Sequence, residues 1–384
     1  MTGGGSGGHI TPILAVAHEL KRLDPSVRLV YIGQTGDGLG DIPAKDPNID
    51  AVYTVRAGKW RRYHGHGLRQ LLDFPTLAKN TRDVFYVLIG LYQSRKLLKE
   101  LQPDVIFVKG GFVGVPVGLA AAWLKIPYVT HDSDIIPGLA NRLIARWARL
   151  HAVALPKENY AYLQDKTVTV GVPLNMHFEH VTPALKKHYR TLLKLPQTAP
   201  VLFIIGGGLG SQAVNRAVAE VTPHLLHEFP DLHIEHGVGR ANETEMEQRY
   251  TELLTPAQRQ RVNVHPFISD VYRYSGAADL VITRAGATNL AEFAVQGKAC
   301  LVVPAAFLTG GQQLKNAQYL ESKGAIAVLP QDDLEADPNR LAKQVSALLK
   351  DDKLQHSLGE KLHDFAVDDA AERLATLLVK EAQG

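Results

Sequence analysis

The chain has 384 residues, of which 45% are hydrophobic and 21% charged, with a single cysteine and a net charge of +3. That length exceeds what one hydrophobic core usually serves, so two domains are expected, and the composition is that of an ordinary soluble globular protein. Cys300 alone excludes an intramolecular disulfide framework and a cysteine-based zinc cluster, in keeping with a reducing cytosol.

The N-terminus opens on a glycine run, Gly3-Gly4-Gly5-Ser6-Gly7-Gly8, followed by His9 and a helix predicted over Pro12 to Arg22. Glycines between a strand and a helix let backbone N–H groups close on an anion or a ligand at the positive end of the helix dipole. Only Met1 and Thr2 precede this run, so the strand that should launch it is missing: either the start is misassigned or the first sheet lacks a strand. His9 stands where loop becomes helix, where an imidazole takes a proton from an attacking hydroxyl near neutral pH.

Short β-branched runs then alternate with helical stretches, the pattern of parallel sheets built from βαβ units. The first set of strands is predicted at Leu29 to Gly33, Ala51 to Val55, Val105 to Lys109, Tyr128 to His131, His151 to Ala154 and Thr167 to Val170. Between Arg56 and Lys109, 11 basic residues face 4 acidic ones, interleaved with large apolar side chains from Trp60 to Tyr92. Two readings stay open for this segment: a surface resting on an anionic membrane, or a buried helix with a solvated basic face. No motif supports nucleic acid as a partner. Neither Val84 to Tyr92 nor Val113 to Leu124 approaches the ~20 apolar residues of a spanning helix, and no signal sequence opens the chain, so neither a bilayer crossing nor secretion is expected.

Asp132-Ser133-Asp134 has the spacing of a DxD cation site, but no His or third carboxylate clusters nearby in sequence, and no metal is expected. The boundary is placed at Gly171-Val172-Pro173, giving domains of residues 1–172 and 173–384, with a final helical stretch of about 354–381 as a candidate to pack back on the first domain. The second set of strands is predicted at Val201 to Ile205, His233 to His236, Asn263 to Pro266, Leu280 to Thr283, Cys300 to Val303 and Ala325 to Leu329. Its first strand runs into Gly206-Gly207-Gly208-Leu209-Gly210 and a helix, a context suited to a diphosphate. A tight turn that binds nothing is the other reading. A second strand-to-helix turn, Thr283 to Glu292, puts a carboxylate within reach of ribose hydroxyls and the N–H groups from Gly286 onward near phosphate, unless Glu292 only caps its own helix. Gly310-Gly311-Gln312-Gln313 and Asn316 then supply amides suited to sugar hydroxyls.

Taken in order, Gly4 to Pro12, Lys109-Gly110-Gly111-Phe112 with Pro116, His131 to Asn141, Gly206 to Gly210, Phe267-Ile268-Ser269-Asp270, Arg284 to Glu292, and Gln312-Gln313 with Asn316 resemble the MurG family over nearly the whole chain. The resemblance implies an α/β fold of the GT-B type, two Rossmann-like domains with parallel sheets facing across a cleft. The implied activity is inverting, metal- and cofactor-independent transfer of N-acetylglucosamine from UDP-N-acetylglucosamine to a polyprenyl-pyrophosphoryl muramoyl-pentapeptide lipid, at the cytoplasmic face of the membrane. By that likeness His9 is the general base, while Ser6, Gly7 and Gly8 lie by the transferred sugar. Ile268 contacts the uracil, Ala287, Thr288 and Asn289 the diphosphate, Glu292 the ribose with Leu290 and Ala291 beside it, and Gln312 and Gln313 the sugar. Lys59, Trp60, Arg61, Arg62, Tyr63 and Phe74 face the acceptor or an anionic membrane.

Four donor-side positions depart from the family's usual pattern: Asp134 and Gly208 replace an Asn and a Ser, Asn175 replaces an Arg, and Asn289 replaces a Thr. They bear on donor affinity. A related glycosyltransferase for another lipid acceptor, a non-catalytic UDP-sugar-binding protein and a UDP-sugar epimerase are the rival expectations.

Overall fold

The computed structural model describes residues 1–4, 7–38, 40–58, 74–305 and 311–383, with side chains from residue 80 onward in the helix that begins at Phe74. Ser6, Lys59, Trp60, Arg61, Arg62 and Tyr63, and the side chain of Phe74, therefore lie outside the described residues.

Chain contacts divide the molecule into two compact units. One groups Met1–Met176 with Val367–Gly384 and takes in Gln312; the other groups His177–Ala306 with Gln313–Ala366.

The first unit holds strands β1 (Val30–Gln34), β2 (Ala51–Val55), β3 (Ile106–Val108), β4 (Tyr128–Asp132), β5 (Leu150–Val153) and β6 (Thr167–Thr169). Its helices are α1 (Gly7–Leu23), α2 (Asp41–Ala44), α3 (Phe74–Leu101), α4 (Gly114–Leu124) and α5 (Leu139–Ile144). Pairing is parallel throughout, β1 with β2 and β3-β4-β5-β6 in order. The two sets are joined by the start of the chain: Thr2 bridges both Ile32 and Val108 in parallel. The Thr2 amide donates to the Phe107 carbonyl at 2.8 Å, the Lys109 amide to the Thr2 carbonyl at 2.9 Å, and the Ile32 amide to the Met1 carbonyl at 2.9 Å. Met1 and Thr2 thus lie at the position of the expected launching strand and bond to both neighbours. The helix predicted from Pro12 begins five residues earlier, at Gly7, so His9 lies inside its first turn. Its buried face starts at Ile10 and runs through Ile13, Val16, Ala17 and Leu20, and that packing outweighs the single backbone bond Pro12 forgoes.

The second unit holds α6 (Pro183–Leu192), β7 (Val201–Ile205), α7 (Gln212–Glu228), β8 (His233–Gly237), α8 (Glu243–Leu253), α9 (Pro256–Arg259), β9 (Val262–His265), α10 (Val271–Ala277), β10 (Leu280–Thr283), α11 (Ala287–Gln296) and β11 (Cys300–Val302). After these come β12 (Ala327–Val328), α13 (Gln331–Ala336), α14 (Asn339–Lys350) and α15 (Asp352–His363), preceded by α12 (Gln312–Ser322). The sheet is parallel in the order β12-β11-β10-β7-β8-β9. Its central strand, Val201 to Ile205, is buried at every position, as expected of a parallel strand covered on both faces. Arg190 of α6, itself buried, donates to Asp279 at 2.8 Å, and Asp279 also accepts the Val201 amide at 2.7 Å, fixing that helix to the amino-terminal edge of the sheet. The closing helical stretch is two helices. α15 lies in the second unit, and α16 (Ala370–Gln383) lies in the first, where Leu374, Ala375 and Leu378 share a core with Ile13, Val16, Ala17 and Leu20 of α1.

Candidate functional site

Within each unit the motif residues collect at the carboxyl ends of the strands, where open α/β sheets bind ligands. In the first unit, Gly3 and Gly4 follow the Thr2 bridge and are clasped from three sides. The Tyr31 hydroxyl donates to the Gly3 carbonyl. A Cβ at Gly3 would stand 3.2 Å from that of Lys109, and one at Gly4 would stand 3.3 Å from a carboxylate oxygen of Asp37. Gly111, at φ +76°, lies directly against the Gly4 backbone, leaving no room for a side chain. Gly3 and Gly4 are therefore tightly held.

Gly7 and Gly8 are exposed in the first turn and His9 is half-buried. Burial, and secondarily the charge of Lys109, hold the His9 imidazole down to about 4, against a hydrogen bond to the Gly4 backbone that pulls the other way. The ring is therefore neutral and able to accept a proton throughout the physiological range. Lys109 itself is buried at the end of β3, donates to Ser133 Oγ at 2.9 Å, and is lowered to about 8 by burial, opposed by Asp132 and Asp134. In the sequence this cation beside Gly3 is only one residue of a motif. A lysine ending a strand carries no signal of where its amine will be held.

Asp132 spends both carboxylate oxygens inside the protein. Oδ1 accepts the Gly138 amide and Asn141 Nδ2, each at 3.0 Å, and Oδ2 accepts the Tyr162 hydroxyl at 2.9 Å. Its work is to close the loop after β4. Among the described residues, no group of three or more His, Cys, Asp or Glu side chains could hold a metal ion. Asp134 is half-buried and Asn175 exposed, both in the first unit, and each already has an interaction with its surroundings.

In the second unit, β7 runs into a turn whose shape demands glycine. Gly207 and Gly210 have φ of +93° and +75°, the Gly210 amide donates to the Gly207 carbonyl at 2.9 Å, and a side chain at Gly210 would collide with the Val238 carbonyl. Gly208 is exposed, with nothing within 4 Å of a Cβ placed there. Arg284, at the end of β10, is buried and lowered to about 10, chiefly by that burial. It donates to Ser211 Oγ at 3.3 Å and Gln331 Oε1 at 2.8 Å, tying the glycine turn to α13.

The next turn leads into α11, whose N-terminus has no side-chain cap, so the first-turn amides at Ala287, Thr288 and Asn289 face outward from the helix dipole. Asn316 Nδ2 donates to the Ala285 carbonyl at 3.1 Å and steadies this turn. Glu292 is half-buried on the same helix, where burial pushes its carboxyl up to about 8. It has no hydrogen bond or ion pair among the described residues, so it does not cap its own helix. Leu290 packs inward and Ala291 is half-buried. Ile268 is buried in the core beside Gly237, so its main chain is what it offers a ligand. Gln313 accepts the Ala305 amide on Oε1 at 3.1 Å, while Gln312 falls in the first unit and donates to the Ile136 carbonyl at 3.3 Å.

Models of the glycosyltransferase family 28 N-terminal and C-terminal domains match residues 1–153 and 201–374. The UDP-N-acetylglucosamine--N-acetylmuramyl-(pentapeptide) pyrophosphoryl-undecaprenol N-acetylglucosamine transferase of Natranaerobius thermophilus is 31% identical over 380 residues, 98% of each chain. The protein of the same name from Clostridium botulinum (strain Kyoto / Type A2) is 34% identical over 344 residues, 89% of this chain and 88% of its own. Among solved structures, Acinetobacter baumannii MurG superposes with a TM-score of 0.72 at 25% identity, covering 99% of this chain and 98% of that one. UDP-GlcNAc 2-epimerase from Neisseria meningitidis superposes with a TM-score of 0.64 at 14% identity over 97% and 96%, a likeness of fold alone.

Proposed function

The chain belongs to the MurG family within glycosyltransferase family 28, and from that premise we propose how its own residues carry out the reaction. It is a GT-B glycosyltransferase that moves N-acetylglucosamine from UDP-N-acetylglucosamine to the lipid-linked N-acetylmuramoyl-pentapeptide of peptidoglycan synthesis. The observation that carries this activity is the likeness to transferases of that name across 98% of both chains. Incubation with radiolabelled UDP-N-acetylglucosamine and the muramoyl lipid tests it. Label must enter the muramoyl lipid, and label found only in a diacylglycerol, or bound donor that is never transferred, would overturn it.

In this reading the first unit takes the acceptor and the second the donor. Glu292 accepts the ribose hydroxyls, a role suited to a half-buried carboxyl with no protein donor on it. The open amides at Ala287 to Asn289 take the diphosphate, Gln312 and Gln313 the sugar, and the Ile268 main chain the uracil. His9 removes the proton of the acceptor hydroxyl as its oxygen bonds to the anomeric carbon. The bond from that carbon to the UDP oxygen breaks and UDP leaves with the electron pair, its added charge met by the helix amides.

No helix among the described residues is long and apolar enough to cross a membrane. Seating on an anionic membrane surface at the cytoplasmic face is supported by α3, where Phe85, Leu88 and Tyr92 are 61%, 56% and 72% exposed along one stripe with Val84 and Ile89. Arg56 and Arg82 lie 5.4 and 5.3 Å from the Tyr86 ring, and Arg95 lies 4.7 Å from that of Trp123, setting cations beside the stripe. Cosedimentation with anionic vesicles should be lost in a Phe85→Asp, Leu88→Asp double variant, and retention would remove α3 from this role.

A further inference from the structure

The mouth of the second unit contains a cation with no carboxylate partner among the described residues. Arg240 follows β8 through Gly239, and its anchor is unusually firm. The Val238 carbonyl accepts both Asn215 Nδ2 and Asn242 Nδ2 at 2.8 Å, and the Val238 amide donates to the His265 carbonyl at 2.9 Å. Gly239, at φ +87°, is pressed against the backbone of Leu209 and Gly210, so the residue after it starts beside the second glycine turn. From there the exposed Arg240 side chain lies over the Phe267 ring, with its guanidinium carbon 4.7 Å from the ring centroid. Among the described residues it has no hydrogen bond and no carboxylate partner.

Strand order says what passes this point. The sheet runs β10-β7-β8-β9, so the loop after β8 lies between the loop after β9, which carries Ile268, and the loops after β7 and β10, which carry the glycine turn and the start of α11. A nucleotide with its base at Ile268 and its diphosphate at α11 runs along that edge. A guanidinium held over an aromatic ring spends none of its N–H groups on that contact, and those groups match the oxygens of a phosphate in pairs. The stack also holds the long side chain in place, lowering the entropy lost on binding.

We propose that Arg240 is a further donor-recognition residue, held over Phe267 and giving its N–H groups to the diphosphate of the nucleoside diphosphate sugar. It gives the donor unit a cation of its own, in a chain that has Asn175 in place of the family's usual Arg. The proposal rests on the donor reading of the second unit, and the test separates the two.

Calorimetric titration of the full chain, Arg240→Gln and Arg240→Lys with UDP and with uridine reads it directly. Arg240→Gln should raise the Kd for UDP roughly ten- to hundred-fold and leave that for uridine within about twofold, with Arg240→Lys between wild type and Gln for UDP. Because the side chain is exposed, the thermal midpoint should not move, which separates lost recognition from lost folding. Unchanged UDP affinity in Arg240→Gln overturns the proposal, and so does an equal loss for uridine, which would assign the stack to the base. A wild-type chain that binds neither compound overturns the donor reading itself.

Discussion

His9 and Glu292 are both shifted by burial, but in opposite senses, and each shift sets a different pH dependence. His9 must be unprotonated to act, and with its imidazole held to about 4 it contributes no pH dependence between 6 and 8. Replacement by Ala should lower the transfer rate by ~10²–10⁴-fold with donor binding retained. Single-turnover kinetics would check this, and an undiminished rate would take His9 out of the mechanism. Glu292 is protonated in the ligand-free protein up to about 8, whereas the form that accepts two hydroxyls is the carboxylate. UDP binding should therefore release a proton at neutral pH, and affinity should rise with pH until it levels off above about 8. Titration in buffers of different ionisation enthalpy measures the proton released. The stability linkage has the opposite direction. A carboxyl whose folded pKa lies above its unfolded value of 4.5 contributes stability below 4.5 that is lost as pH rises through about 8. Glu292→Gln should thus melt at a higher temperature than wild type, by a margin that widens from pH 5 to pH 8, while its UDP affinity falls roughly ten- to hundred-fold. Neither behaviour is written in the sequence, where His9 and Glu292 are only a histidine after glycines and a glutamate inside a helix. Their pKa values come from what the fold packs around them.

At the scale of the element, the second glycine turn separates glycines required by geometry from one that is not. Gly210 has a positive φ and no space beside the Val238 carbonyl, so Gly210→Ala should cost roughly 1–3 kcal/mol and disturb the anchor of Arg240. Gly208 faces open space, so Gly208→Ser should change stability by no more than about 0.5 kcal/mol while adding a hydroxyl at the exposed tip. Chemical denaturation of the two variants compares them, and equal losses would contradict this account of the turn. The sequence showed only a run of glycines, because backbone sign and clearance depend on Val238 and Leu209, one of them 28 residues away from Gly210. Helix starts were blurred for a related reason. Proline at a first helical position is a sound local signal, but the apolar face beginning at Ile10 extends α1 back to Gly7, since burial of that face outweighs one missing backbone bond.

Across the whole molecule, the first unit depends on the end of the chain as well as its beginning. Leu374, Ala375 and Leu378 of α16 fill the core around Ile13, Val16, Ala17 and Leu20, and Arg149 and Arg22 pair with Glu381 and Glu372 at 2.9 and 2.8 Å. Each buried leucine contributes roughly 1.5–3 kcal/mol, against a total stability on the order of 5–15 kcal/mol for a domain. Deleting residues 367–384 should abolish cooperative unfolding of the first unit, leaving that of the second in the calorimetric trace; two retained transitions would show that α16 is dispensable. The alternation of β-branched runs with helical stretches determined the α/β class and nearly every strand, because burial on both faces forces such runs to be continuously apolar and leaves them readable one window at a time. The ordered motifs likewise determined the family, since glycine turns and strand ends are local. What only the tertiary structure decided are the facts that need two distant segments together: Thr2 bridging β1 and β3, Lys109 lying against Gly3, Asp132 bonded to Tyr162 and Asn141, and Arg240 lying over Phe267. Hydrogen bonds and charges act over a few ångströms of space regardless of separation along the chain, so a sequence window records the partners and not their meeting.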